Sequence, residues 1–126
     1  MSNNKLNLSD QNVKCSCKGY NMDKLLQPRI LWILTKGKNH GYGIVQALEV
    51  EPLFHEEKAD TAGIYRALAT LQDRGLIEFE WILESSGPAK KQYAITEEGI
   101  HCLKNWVQTL KDYRQALDNF LLHADE

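Results

Sequence analysis

Apolar residues first recur at helical spacing at Leu25, Leu26, Ile30, Leu31, Ile33 and Leu34, which predicts an amphipathic helix. Pro28 falls near its first turn, where a missing amide is tolerated, and Lys36-Gly37-Lys38 supplies a cationic, glycine-containing stop. The glycines of Asn39-His40-Gly41-Tyr42-Gly43 predict a turn. Ile44, Val45, Ala47 and Leu48 then mark a second helix that stops before Pro52, and the charged stretch from Glu51 to Lys58 reads as a loop. A third helix starts at Asp60, whose carboxylate can cap the free amides of the next turn; it carries Ile64, Leu68 and Leu71 inward and ends at Gly75.

From Leu76 to Glu84 the period changes to two. Ile77, Phe79, Trp81 and Leu83 fall on one side and Glu78, Glu80 and Glu84 on the other, the pattern of a half-buried strand. Ser85-Ser86-Gly87-Pro88-Ala89 is turn material, and Lys90 to Ile95 returns as a second strand with Tyr93 and Ile95 facing the core. Thr96, followed by Glu97, Glu98 and Gly99, opens a last helix with apolar residues at Ile100, Leu103, Trp106, Val107, Leu110, Tyr113, Leu117, Phe120 and Leu121. So long a stripe cannot be buried on a small domain's own core, and a second copy of the chain is the economical partner. Leu103, Val107, Leu110, Tyr113, Leu117, Phe120 and Leu121 are the candidate dimerisation residues.

Composition narrows the class. A chain of 126 residues, 43% hydrophobic and 25% charged, suits one soluble globular unit that gains stability from self-association. Its longest apolar run, Ile30 to Leu34, is far short of the roughly 18 residues of a membrane span. The polar start, Met1 to Gln11, does not read as a secretory signal, so a cytoplasmic location is expected. Residues 1–19 lack an apolar period and are expected to form a flexible arm, with residues 20–96 as the main domain and 97–126 as the terminal helix. The net charge of −2 hides an asymmetry: between Lys14 and Tyr42 six basic side chains face one acid, Asp23. This permits a nucleic-acid face without proving one.

The expected fold class is α+β, mainly α. The order helix, helix, helix, strand, turn, strand is that of a winged helix-turn-helix domain, here with a long C-terminal dimerisation helix. In that arrangement the third helix enters a DNA major groove, about 12 Å wide, and the hairpin lies over neighbouring phosphates. Thr61, Ala62, Tyr65, Arg66 and Ala69 lie opposite Ile64, Leu68 and Leu71. Small residues near the helix start allow close backbone approach, and Tyr65 and Arg66 can reach phosphates or base edges. A solvated polar face explains the same residues equally well until the hairpin is added, where Gly87-Pro88-Ala89-Lys90-Lys91 sets two ammonium groups beside a turn.

His40-Gly41-Tyr42-Gly43, Asp60-Thr61-Ala62-Gly63-Ile64-Tyr65-Arg66-Ala67-Leu68, Gly75-Leu76-Ile77, Gly87-Pro88-Ala89-Lys90-Lys91-Gln92-Tyr93 and Thr96-Glu97-Glu98-Gly99 together resemble the PadR family of regulators, over about Leu25 to Leu121. The resemblance implies a repressor that dimerises through its C-terminal helix and presents two winged helices to a pseudo-palindromic operator in double-stranded DNA. It places His40 and Tyr42 at the start of the second helix near the DNA backbone, Thr61, Ala62, Tyr65 and Arg66 on the recognition helix, and Lys90 and Lys91 on the wing. The chain departs from the family at Ala62-Gly63-Ile64-Tyr65, where Gly-Thr-Leu-Tyr is common, and at Gln92, where an aromatic is usual.

The resemblance also implies a small, often aromatic effector at the dimer interface. Trp32, Trp81 and Trp106 could stack on one, with Trp32 and Trp106 the named candidates, although tryptophans at core spacing more commonly serve packing. Cys15 and Cys17, between Lys14 and Lys18, allow a redox or metal sensor, but their spacing is shorter than that of structural zinc knuckles and no metal or other cofactor is expected. No nucleophile elbow, phosphate-binding glycine loop or His-Glu-x-x-His pattern is present, so an enzyme is not expected. A winged helix that binds only protein is the remaining alternative, kept open by Asp60, Asp73, Glu78 and Glu80.

Overall fold

Ile30 and Leu31 are fully buried at the centre of a core shared by three helices and a small sheet. The structure, a computed structural model, describes residues 24–53, 60–84 and 86–126. The elements run α1 (Leu26–Leu34), β1 (Asn39–His40), α2 (Gly41–Val50), α3 (Thr61–Asp73), β2 (Ile77–Ile82), β3 (Lys90–Ile95) and α4 (Glu97–Ala124). From α1 come Ile30, Leu31, Ile33 and Leu34, from α2 Ile44, Val45 and Leu48, and from α3 Ile64, Ala67, Leu68 and Leu71, each set at the spacing of one helical face. Leu76, Ile77 and Tyr93 close the core from the sheet side.

The start of α1 is tied to the end of α2 by Arg29, which donates to the Lys24 carbonyl at 3.0 Å and to the Glu51 carbonyl at 3.2 Å. The second of these bonds satisfies a carbonyl that a helix end leaves free. At the other end of α3, Gly75 adopts φ +74, a left-handed conformation that costs glycine least, and this turns the chain directly into β2.

The sheet is antiparallel, in the order β1-β3-β2. Tyr93 pairs with both Phe79 and Asn39, and Gln92 with both Glu80 and His40. The segment predicted as a turn, Asn39 to Gly43, is therefore a two-residue strand followed without a break by α2. Its glycines serve close packing rather than chain reversal. A Cβ on Gly41 would come within 2.6 Å of the Tyr65 ring, so the bare backbone makes room for that side chain. In β2 the alternation of burial holds from Ile77, buried, through Phe79, half-buried, and is lost at the outer end, where Ile82 is half-buried and Trp81 is 58% exposed because the hairpin runs beyond the helices that cover its base.

Thr96 anchors α4. Its hydroxyl accepts from the Gly99 amide at 3.0 Å and donates to the Gly75 carbonyl at 2.8 Å, while its own amide donates to the Leu76 carbonyl at 3.1 Å. Cys102, Leu103 and Trp106 then pack against the core. Beyond Leu110 every residue is exposed, although α4 continues to Ala124, a helix of 28 residues spanning about 42 Å. Three helices, a two-stranded wing joined by a short third strand, and a long terminal helix make the fold α+β, mainly α, of the winged helix-turn-helix type. Among the described residues no helix is long and apolar enough to cross a membrane.

Candidate nucleic-acid interface

The local chemistry of α3 fixes where its outward face begins. Asp60 Oδ1 accepts from the Gly63 amide at 2.9 Å, stopping the helix one residue before Thr61 and leaving the first turn otherwise uncovered. Thr61, Ala62, Tyr65, Arg66 and Ala69 are all exposed, opposite the buried Gly63, Ile64, Ala67, Leu68 and Leu71. The first turn carries no acidic residue beyond the cap, Asp60.

Tyr65 has two roles that its exposure of 45% alone would not reveal. Its ring and hydroxyl pack close against Gly41, bringing α3 and the start of α2 together. Its phenol also stands near that of Tyr93: burial, and secondarily the charge of an ionised Tyr65, push the Tyr93 phenol above its ordinary pKa of 10.0. The Tyr93 hydroxyl is thus neutral at physiological pH. Tyr42 is exposed in the first turn of α2, and His40, half-buried, is the residue before that helix, with Nδ1 3.1 Å from Asn39 Oδ1. His40, Tyr42 and Tyr65 are therefore gathered at one end of the α2 and α3 pair.

The structure separates the two wing lysines. Lys91 pairs with Trp81 and lies on the face shared by Tyr93, Phe79 and Ile77, whereas Lys90 pairs with Ile82 and lies on the other face, with Gln92 and Glu80. On the Lys90 side, Lys38 Nζ approaches Glu80 Oε1 at 3.8 Å, with both side chains largely in water. On the Lys91 side the ammonium sits 4.4 Å from the Phe79 ring centroid and 5.6 Å from that of Trp81. Sequence reasoning did not find this arrangement: pairs counted outward from the turn at 85–89 would set Lys91 opposite Leu83, whereas the observed register sets it opposite Trp81.

Of the two candidate stacking residues, Trp32 is 44% exposed on α1 with Lys36 Nζ 4.9 Å from its ring centroid, and Trp106 is half-buried on α4 against the core. Cys15 and Cys17 lie outside the described residues. Among the described residues no three His, Cys, Asp or Glu side chains gather as a metal site.

A capped helix with an open outer face, set beside a protruding hairpin, defines a winged-helix domain of the kind found in transcription factors. Residues 30–105 match the model of the Transcriptional regulator PadR-like family, and the chain belongs to that family. It is a transcriptional regulator rather than an enzyme.

Similar solved structures include a candidate transcriptional regulator from Thermoplasma acidophilum, 29% identical over 79% of this chain and 91% of that one, with a TM-score of 0.65. Bacillus subtilis PadR, crystallised in complex with operator DNA, is 32% identical, with a TM-score of 0.58, over 66% of this chain and 46% of its own. A PadR family transcription regulator from Clostridium difficile is 26% identical over 76% and 97% of the two chains, with a TM-score of 0.65. Among curated proteins none matches this sequence.

Proposed function

We propose that this regulator binds a pseudo-palindromic operator in double-stranded DNA as a homodimer, represses transcription from the cytoplasm, and is released by a small aromatic effector. The observation that carries the reading is the open, cap-defined face of α3 beside the wing, in a fold shared with a relative crystallised on operator DNA. In this reading the first turns of α3 enter the major groove with Thr61 and Ala62 closest to the bases. Tyr65 and Arg66 reach base edges or phosphates, His40 and Tyr42 touch the adjoining backbone, and Lys90 and Lys91 act from the wing.

The dimer follows from α4. Val107, Tyr113, Leu117, Phe120 and Leu121 expose large apolar side chains on a helix that has outrun its own core, and Leu103 and Leu110 continue the same stripe toward it. Two copies joined there would present their α3 helices to half-sites about 34 Å apart. Because α1 packs on α4, Trp32 and Trp106 belong to neighbouring elements, where a flat ligand between subunits would stack and change the spacing of the two α3 helices.

A mobility-shift titration with the promoter of the chain's own gene tests this reading. Binding whose logarithm falls with the logarithm of salt is expected. Arg66→Ala should weaken it by about 1–3 kcal/mol and relax sequence preference, leaving the dimer intact. Full sequence preference after Arg66→Ala would refute the role of α3. Absent or salt-insensitive binding would favour a module that recognises protein.

A further inference from the structure

The Lys91 ammonium is flanked by aromatic rings on the face of the wing that looks toward α3. Phe79 is itself locked in place, tilted against the buried Tyr93 at a centroid distance of 6.1 Å and edge-on to Trp81 at 5.9 Å. The Phe79 and Trp81 rings both approach the ammonium within the range of cation–π attraction. Trp81 is largely exposed, so it contributes little to the core, and the neighbours recorded for its ring are Phe79 and the Lys91 ammonium. A lysine on a free hairpin samples many rotamers, and fixing it on a phosphate costs side-chain entropy. Rings that hold the stem and one side of the ammonium reduce that loss before any ligand arrives, while the remaining N–H groups stay free to donate.

We infer that Phe79 and Trp81 form a clamp that presents Lys91 as the wing's phosphate contact, making Trp81 a positioning residue for nucleic-acid binding. The inference rests on the DNA reading above but adds a division of labour. Lys91, on the same face as Tyr93 and therefore toward Tyr65 and the start of α2, bounds the space between α3 and the wing. Lys90 lies on the far side of the sheet, beside the Lys38 and Glu80 pair.

Two measurements test it. Without DNA, ring currents should shift the Lys91 ε-methylene protons upfield in the NMR spectrum of the full chain. Trp81→Ala should move them back toward ordinary values, and Trp81→Phe should retain part of the shift. With mixed-sequence duplex DNA as the probe, Trp81→Ala should weaken binding about threefold, and Trp81→Phe should recover most of that loss. Lys91→Ala should lower the slope of log K against log salt by about 0.9, whereas Lys104→Ala, on the exposed side of α4, should leave it unchanged. Adding Trp81→Ala to Lys91→Ala should cost nothing further, since a ring that acts only through the lysine has nothing left to hold. An unshifted Lys91 signal, or losses from the two substitutions that simply add, would overturn the clamp and leave the operator reading standing. A wild-type chain that binds no duplex would overturn both.

Discussion

Helices α3 and α4 begin alike and end differently. Each is opened by an oxygen-bearing side chain that accepts from the amide three residues on, Asp60 for Gly63 and Thr96 for Gly99. From there α3 buries five residues over 13 positions and leaves a polar face of small and cationic side chains, while α4 fully buries only Gly99 over 28. The uncovered surface of α4 includes a stripe of aromatic and aliphatic side chains, Val107, Tyr113, Leu117, Phe120 and Leu121. Two exposed helix faces thus differ in what they can exchange water for: hydrogen bonds and phosphate charge on α3, apolar contact on α4.

The sharpest way to break this contrast is to remove the chain beyond Lys111, all of it exposed. Full burial of only two of Tyr113, Leu117, Phe120 and Leu121 stabilises association by about 3 kcal/mol, so the truncated chain should dimerise more weakly by over about a hundredfold. Light scattering would then report single-chain mass at micromolar concentration, and a dimer of unchanged affinity would remove α4 as the interface.

The next largest effect comes from the glycines at matching positions. A Cβ on Gly99 would run into the Leu76 backbone carbonyl, which cannot swing aside, and Gly99→Ala should cost about 1–3 kcal/mol in denaturant unfolding. On Gly63 the Cβ meets only the Asp60 carboxylate. There the loss of a cap worth about 1 kcal/mol is offset by about the same gain in helix propensity, and stability should change little.

The smallest effect concerns pH. Because the Tyr93 phenol is raised in the fold, its contribution to stability is complete below the unfolded value near 10.0 and is lost as pH rises through the folded value. Alkaline unfolding should therefore be less steep in Tyr93→Phe, and an unchanged titration would place that phenol in water.

The helices, both caps and the hairpin were legible because each is announced within a few residues. Asp60 and Thr96 precede apolar periods of three and four, and Gly87-Pro88 separates two alternating runs. Strand β1 was not, since two residues carry no period and their partners in β3 lie some fifty positions away. The glycines at 41 and 43 suggested a turn because sequence does not show which distant ring needs the space. Alternation correctly set Trp81 on the face of Phe79 but could not say how far the helices cover that face. The candidate residues on α3 follow from helical period alone. Alternation alone puts Lys90 and Lys91 on opposite faces, but only the strand register shows that Lys91 lies beside Trp81.

The Thr96 corner also bears on mechanics. With its hydroxyl and amide reaching Gly75 and Leu76, Thr96 ties the entry of α4 directly to the exit of α3 by two short hydrogen bonds across the base of the hairpin. In a paired assembly the two helices would behave as one bent lever, so a tilt between the tails would be delivered undamped to the groove-facing ends. Lengthening the corner by a single flexible residue would uncouple them.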